Sequence, residues 1–162
     1  MTVIARPSAA ATLIVALIVA SIARADPAPT VRDEMLVSTQ WLADRLDDEA
    51  VLVIHVGHGK GPYDRHGHVP GAVFVDMLDL LVRDADVPDE MPDRDALLAW
   101  CRSVGIDGDR PQRVVLYGDA TGLFPARLYA TLATLGLADR VSLLDGHFRR
   151  WRAEGRPVEL GD

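Results

Sequence analysis

Three short apolar runs constrain this chain more than any other feature: Val51-Leu52-Val53-Ile54-His55-Val56, Arg113-Val114-Val115-Leu116-Tyr117 and Val141-Ser142-Leu143-Leu144. They are rich in β-branched and aliphatic residues; the first reads as a strand covered on both faces of a sheet, the second as another buried strand and the third as a further strand. Helical spacing fills the gaps between them. From the N-cap residue Asp93, a helix carries Leu97, Cys101 and Val104 on one face and stops at Gly105. A second helix, from about Leu123 to Leu135, aligns Leu128, Leu132 and Leu135 and ends at Gly136. Strands alternating with helices predict an α/β domain with a mostly parallel central sheet and helices on both faces. In such sheets ligands bind beyond the carboxyl ends of the strands, which points to the loop after Tyr117.

The remaining segments are shorter. Ser38 caps a first helix that carries Leu42 and Leu46. Residues 57 to 71 hold five glycines and two prolines and predict a loop. A short strand follows over Ala72 to Asp76, then one or two helical turns over Leu78 to Val82. The acidic stretch from Asp84 to Asp93, with Pro88 and Pro92, reads as an exposed connection, and Phe148 to Trp151 begins a last short helix.

Residues 1 to 25 are different in kind. Arg6 precedes an apolar run from Ala9 to Ala20, and Ala23-Arg24-Ala25 supplies a small-x-small site before Asp26. That order predicts a secretory signal peptide cleaved after Ala25, and therefore a periplasmic or secreted protein. An uncleaved segment would instead anchor the chain in a membrane, although the run is shorter than the roughly 20 residues a span needs. Residues 26 to 35, with Pro27 and Pro29, read as a linker, and residues 36 to 162 as a single domain.

The 162 residues carry 17 Lys+Arg against 24 Asp+Glu, a net charge of -7, and loss of Arg6 and Arg24 on cleavage takes the mature chain to -9. With no basic run interleaved with aromatics, nucleic acid is not an expected partner. The single cysteine, Cys101, excludes an internal disulfide and a cysteine-rich zinc site. Its place on the inner helix face makes it a small buried hydrophobe.

Three blocks in order then carry a resemblance: Tyr63 with Gly67-His68-Val69-Pro70-Gly71-Ala72; Val114-Val115-Leu116-Tyr117 with its glycine loop and helix; and Leu144-Asp145-Gly146-His147-Phe148-Arg149-Arg150-Trp151. Over about Leu36 to Val158 the chain resembles a rhodanese domain. The opening Leu36 to Leu42 and the stretch Gly71 to Asp76 resemble most the non-catalytic amino-terminal half of two-domain thiosulfate sulfurtransferases. The resemblance implies that a catalytic member would place its cysteine immediately after the strand ending at Tyr117, in a cradle of backbone N–H groups that lowers a thiol pKa and holds an anion.

Here that position is Gly118, and Asp119 follows it. Sulfur transfer through a persulfide needs a sulfur atom on the enzyme, so neither Asp119 nor Thr121 can replace the cysteine. The active-site-like loop is Gly118, Asp119, Ala120, Thr121, Gly122 and Leu123, without a catalytic residue, and Asp119 favours a neutral or cationic group over thiosulfate. The chain also has His55 and Gly57 where the family usually has an Asp and an Arg, and His147 where a second glycine is common.

Four of the five histidines, His55, His58, His66 and His68, fall within 14 residues. They are the candidates for a Zn or Cu site, but no carboxylate or thiolate completes a ligand pattern. The resemblance makes His68 a loop-fixing residue bonded to backbone, with His55, His58 and His66 as polar loop positions. No cofactor is expected.

The resulting expectation is an exported rhodanese-like domain, an inactive homologue that binds a partner or small ligand at its loop. The alternative is thiosulfate sulfurtransferase function together with a separate or missing catalytic carboxyl-terminal rhodanese half; Arg156 to Asp162 resembles the start of an interdomain linker. The expected partners are that catalytic rhodanese domain or another exported protein. Histidine-based metal binding is the third reading.

Overall fold

In the computed structural model, residues 35–82, 90–107, 110–119 and 121–161 are described. Five parallel strands form one sheet: β1 (Leu36–Val37), β2 (Val51–Gly57), β3 (Val73–Asp76), β4 (Arg113–Tyr117) and β5 (Val141–Leu144), in the order β1-β5-β4-β2-β3. Five α-helices that lie wholly among these residues accompany the strands: α1 (Thr39–Ala43), α2 (Gly61–His66), α3 (Arg94–Ser103), α4 (Leu123–Thr134) and α5 (His147–Ala153). Single 3-10 turns at Met77–Leu80 and Ala138–Arg140 complete the path.

The central strands are mostly apolar because both sheet faces are covered. Ile54, Val56, Val114 and Leu116 face the layer of α3 and α4, where they meet Leu97, Cys101, Leu128 and Leu132. Val53, Val115 and Tyr117 face the other way, against Leu42 of α1 and Phe148 and Trp151 of α5. Period-2 alternation therefore distributes one run of residues between two cores.

Local chemistry sets the helix starts. The Ser38 hydroxyl accepts from the Trp41 N–H at 3.0 Å, and the Asp93 carboxylate accepts from the Ala96 N–H at 2.8 Å. The last turn of α5 is tied to α1 through Glu154, whose carboxylate accepts from Thr39 Oγ1 at 2.5 Å, Arg150 Nε at 2.8 Å and Arg156 Nε at 2.7 Å. Together these donors hold the Glu154 pKa down at about 2.

One sequence expectation needs correction. Residues 57 to 71 are not all loop, because Gly61–His66 is the helix α2; Pro62 stands in its first turn, where its missing N–H is harmless and its fixed φ fits. The two-residue strand β1 is too short to show a period in the sequence. Residues 1 to 25, read as a signal peptide, residues 26 to 34, read as linker, and most of the acidic connection lie outside the described residues. Among those described, no helix is long and apolar enough to cross a membrane.

Candidate functional site

From β2 the chain moves outward to β3, then crosses back to place β4 on the opposite side of β2. The direction of winding thus reverses between β2 and β4, and their carboxyl ends flank the crevice where sheets of this kind bind ligands. His55 is in register with Tyr117 at this point, so the loop beginning at Gly118 leaves directly beside Val56 and Gly57.

That loop is held close to the sheet. A Cβ added to Gly118 would lie 3.1 Å from the Val56 carbonyl oxygen, 3.1 Å from Pro125 Cγ and 3.3 Å from Pro125 Cδ. The loop carbonyls are committed to α5: Phe148 N–H donates to Gly118 O at 3.0 Å, and Arg149 N–H donates to Asp119 O at 3.1 Å. These bonds satisfy donors in the first turn of a helix whose N-cap, Gly146, offers no side chain. At the other end of the loop, α4 starts from Gly122 with φ 66°, and its third residue, Pro125, has no N–H to offer an anion.

Beneath the loop lies His55. It is 1% exposed, in β2, so it is not the loop position expected from the sequence. The rings of Tyr117, Tyr63, Phe74 and Phe148 surround its imidazole at centroid distances of 4.8, 5.3, 5.8 and 6.4 Å. Its Nε2 is 3.4 Å from Asp119 Oδ1, and its buried Nδ1 has no hydrogen-bond partner. Burial lowers its pKa to about 4, against a raising pull from Asp119 and with a smaller lowering push from His68. His55 is therefore neutral at physiological pH, with the Asp119 carboxylate beside it.

His68 is also buried, but its expected imidazole-to-backbone bond is replaced by a stack on Tyr63, with centroids 3.7 Å apart and planes 6° from parallel. Its Nδ1 has no hydrogen-bond partner and its Nε2 is 3.6 Å from Glu159 Oε2, while the backbone of His68 exchanges bonds of 2.8 and 3.0 Å with that of Glu159. His58 is exposed, with Nδ1 3.6 Å from Asp76 Oδ1, and His66 is exposed at the end of α2. Among the described residues, no three His, Cys, Asp or Glu side chains gather in a metal-holding group.

The rest of the loop is open: Asp119, Thr121 and Leu123 are exposed, while Ala120 lies outside the described residues. Cys101 is not near it. It is buried in the core on the α3 and α4 face, and burial pushes its thiol pKa up, away from the thiolate.

Sequence reasoning missed His147 as a site residue. It is the one described non-glycine residue at positive φ, 52°, and a Cβ on Gly122 would lie 2.4 Å from its Nε2. The departure from glycine at position 147 was the available signal. Also missed was a groove of about 630 Å³ beside the loop, with Asp119, Phe148, Arg149 and Arg152 on one side and Pro62 and His66 of α2 on the other.

A parallel α/β domain with its loop at the winding reversal defines the class, and the comparisons give the family. The rhodanese-like domain model matches residues 38–154, and the chain belongs to that family. It is 33% identical over 145 residues to the thiosulfate/3-mercaptopyruvate sulfurtransferase 2 of Arabidopsis thaliana, covering 85% of this chain and 41% of that protein. With the 3-mercaptopyruvate sulfurtransferase of Escherichia coli K12 it shares 27% identity over 133 residues, covering 77% and 46%. The crystal structure of SseA from Escherichia coli superposes with a TM-score of 0.67 at 25% identity, covering 78% of this chain and 50% of that one. The chain thus spans about half the length of these relatives, or less.

Proposed function

We propose that this chain is a rhodanese-like domain that binds at its loop and does not itself carry sulfur. The observation supporting this is Gly118 at the end of β4, in a chain whose one cysteine is buried in the opposite core. Two features of the loop agree. Asp119 sets a carboxylate where an anionic sulfur donor would dock, and Pro125 removes one N–H from the start of α4. The test is thiosulfate-to-cyanide sulfur transfer by the chain alone. No turnover above the uncatalysed rate is expected, and turnover abolished by Cys101→Ser would overturn the reading.

A second reading is favoured by length. Because the chain covers only 41% and 46% of two sulfurtransferase relatives, it fits the non-catalytic half of such an enzyme, working with a cysteine-bearing half. An adjacent downstream reading frame encoding that half would support it, and mixing the two purified halves should then raise transfer. We also propose export with cleavage after Ala25, so that the protein recovered from outside the cytoplasm begins Asp26-Pro27-Ala28.

A further inference from the structure

We infer that the groove beside the loop is a site for a small dipolar molecule of the α-amino-acid type, its carboxylate held by Arg149 and Arg152 and its ammonium by Asp119. This rests on the loop being the working surface of a binding domain, and it adds the ligand class.

Helix α5 and the residues just after it carry four arginines, and the two that do not line the groove are paired. Arg150 Nη1 is 2.7 Å from Asp145 Oδ2 and its Nε 2.8 Å from Glu154 Oε1, while Arg156 Nε is 2.7 Å from Glu154 Oε2. The two that line the groove, Arg149 and Arg152, are exposed and form no ion pair with any described carboxylate. Arg152 instead lies over the face of Phe148, 5.9 Å from the ring centroid. They stand three apart on one helix and so share a face.

Opposite charge stands on the same groove and stays apart from them. Asp119 is held next to His55 and forms no ion pair with Arg149 or Arg152, although the Arg149 backbone N–H bonds to the Asp119 carbonyl. Phe148 and Pro62 give the space between an apolar lining, and His66 adds a polar edge from α2.

A groove lined by a carboxylate that contacts neither arginine and by two guanidiniums in no ion pair with a described carboxylate is complementary to a ligand that carries both charges. A simple anion would meet Asp119, and a simple cation would meet the arginines, so each gains at one end and loses at the other. Guanidiniums suit a carboxylate because they can donate two parallel N–H bonds. The volume of about 630 Å³ exceeds what one amino acid fills, and it lies within the range of small-molecule sites.

The test uses three probes of one carbon skeleton: L-norleucine, hexanoate and L-norleucine amide, titrated into the full chain and followed by backbone amide NMR shifts. L-Norleucine is expected to saturate shifts at Asp119, Phe148 and Arg149 with an affinity about tenfold better than either singly charged probe. Asp119→Asn and the double variant Arg149→Gln/Arg152→Gln should each remove that preference, and all three positions are exposed, so the fold should survive. Hexanoate or the amide binding as well as L-norleucine, or no saturable shift at tens of millimolar, would overturn the assignment. A persulfide on Cys101 would instead overturn the binding-domain reading and leave the groove result standing.

Discussion

Acidification from about pH 7.5 to about pH 5 should lower the unfolding free energy of the domain by about 2 kcal/mol through His55 alone. In the native state burial holds this imidazole near pKa 4, whereas in the unfolded chain it returns to 6.5. Below 6.5 the unfolded state takes up a proton that the native state refuses. The stability is therefore complete above pH 6.5, is lost as pH falls, and levels out below about 4 at a total near 3 kcal/mol. His147, also lowered by burial, acts in the same direction. For that reason the comparison is with His55→Leu, which keeps His147 and fills the space between Tyr63, Phe74, Tyr117 and Phe148 without a titrating group. Urea unfolding followed by tryptophan fluorescence would be run on both proteins across this pH range. The wild type should lose about 2 kcal/mol more than the variant, whatever the variant's stability at pH 7.5. Equal pH dependence in the two proteins would refute the claim that His55 is buried neutral beneath the loop.

Four further outcomes follow from the same geometry. Gly118→Cys should destabilise by about 1–2 kcal/mol, because its Cβ must push against Pro125 and the Val56 carbonyl, and Pro125→Ala should recover part of that loss. In that background, adding Asp119→Asn should speed persulfide formation from thiosulfate about tenfold by removing a repelling charge, as read by intact mass. Gly122→Ala should cost at least about 1–2 kcal/mol for left-handed backbone alone. With its Cβ 2.4 Å from His147 Nε2, His147→Ala should partly rescue it in thermal unfolding. Trp151→Ala, at a fully buried ring whose Nε1–H donates to the Pro157 carbonyl at 2.6 Å, should cost about 3–5 kcal/mol by urea titration.

The strands β2, β4 and β5 were legible because burial on both faces leaves a run of apolar residues that few other structures tolerate. The cap at Asp93 was equally legible, being written in one side chain and its third following residue. Helix α2 was not, since Gly61-Pro62 carries the same local signal whether a turn ends or a helix begins there. The burial of His55 was hidden for a different reason: an imidazole in an aliphatic run does not say whether the strand stops or continues past it. The resemblance located Gly118, but the groove joins Pro62 and His66 to Asp119 and to Arg149 and Arg152. Residues that far apart in sequence meet only through the order of strands in the sheet, which no local pattern encodes.

The central claim, that this rhodanese-like domain carries no sulfur, is tested most directly by intact-mass measurement after incubation with thiosulfate and, separately, with 3-mercaptopyruvate. The account predicts an unchanged mass for the wild type and for Cys101→Ser, with Gly118→Cys/Asp119→Asn gaining one sulfur atom under the same conditions. A wild-type chain that gains a sulfur atom, and loses the gain in Cys101→Ser, would contradict it.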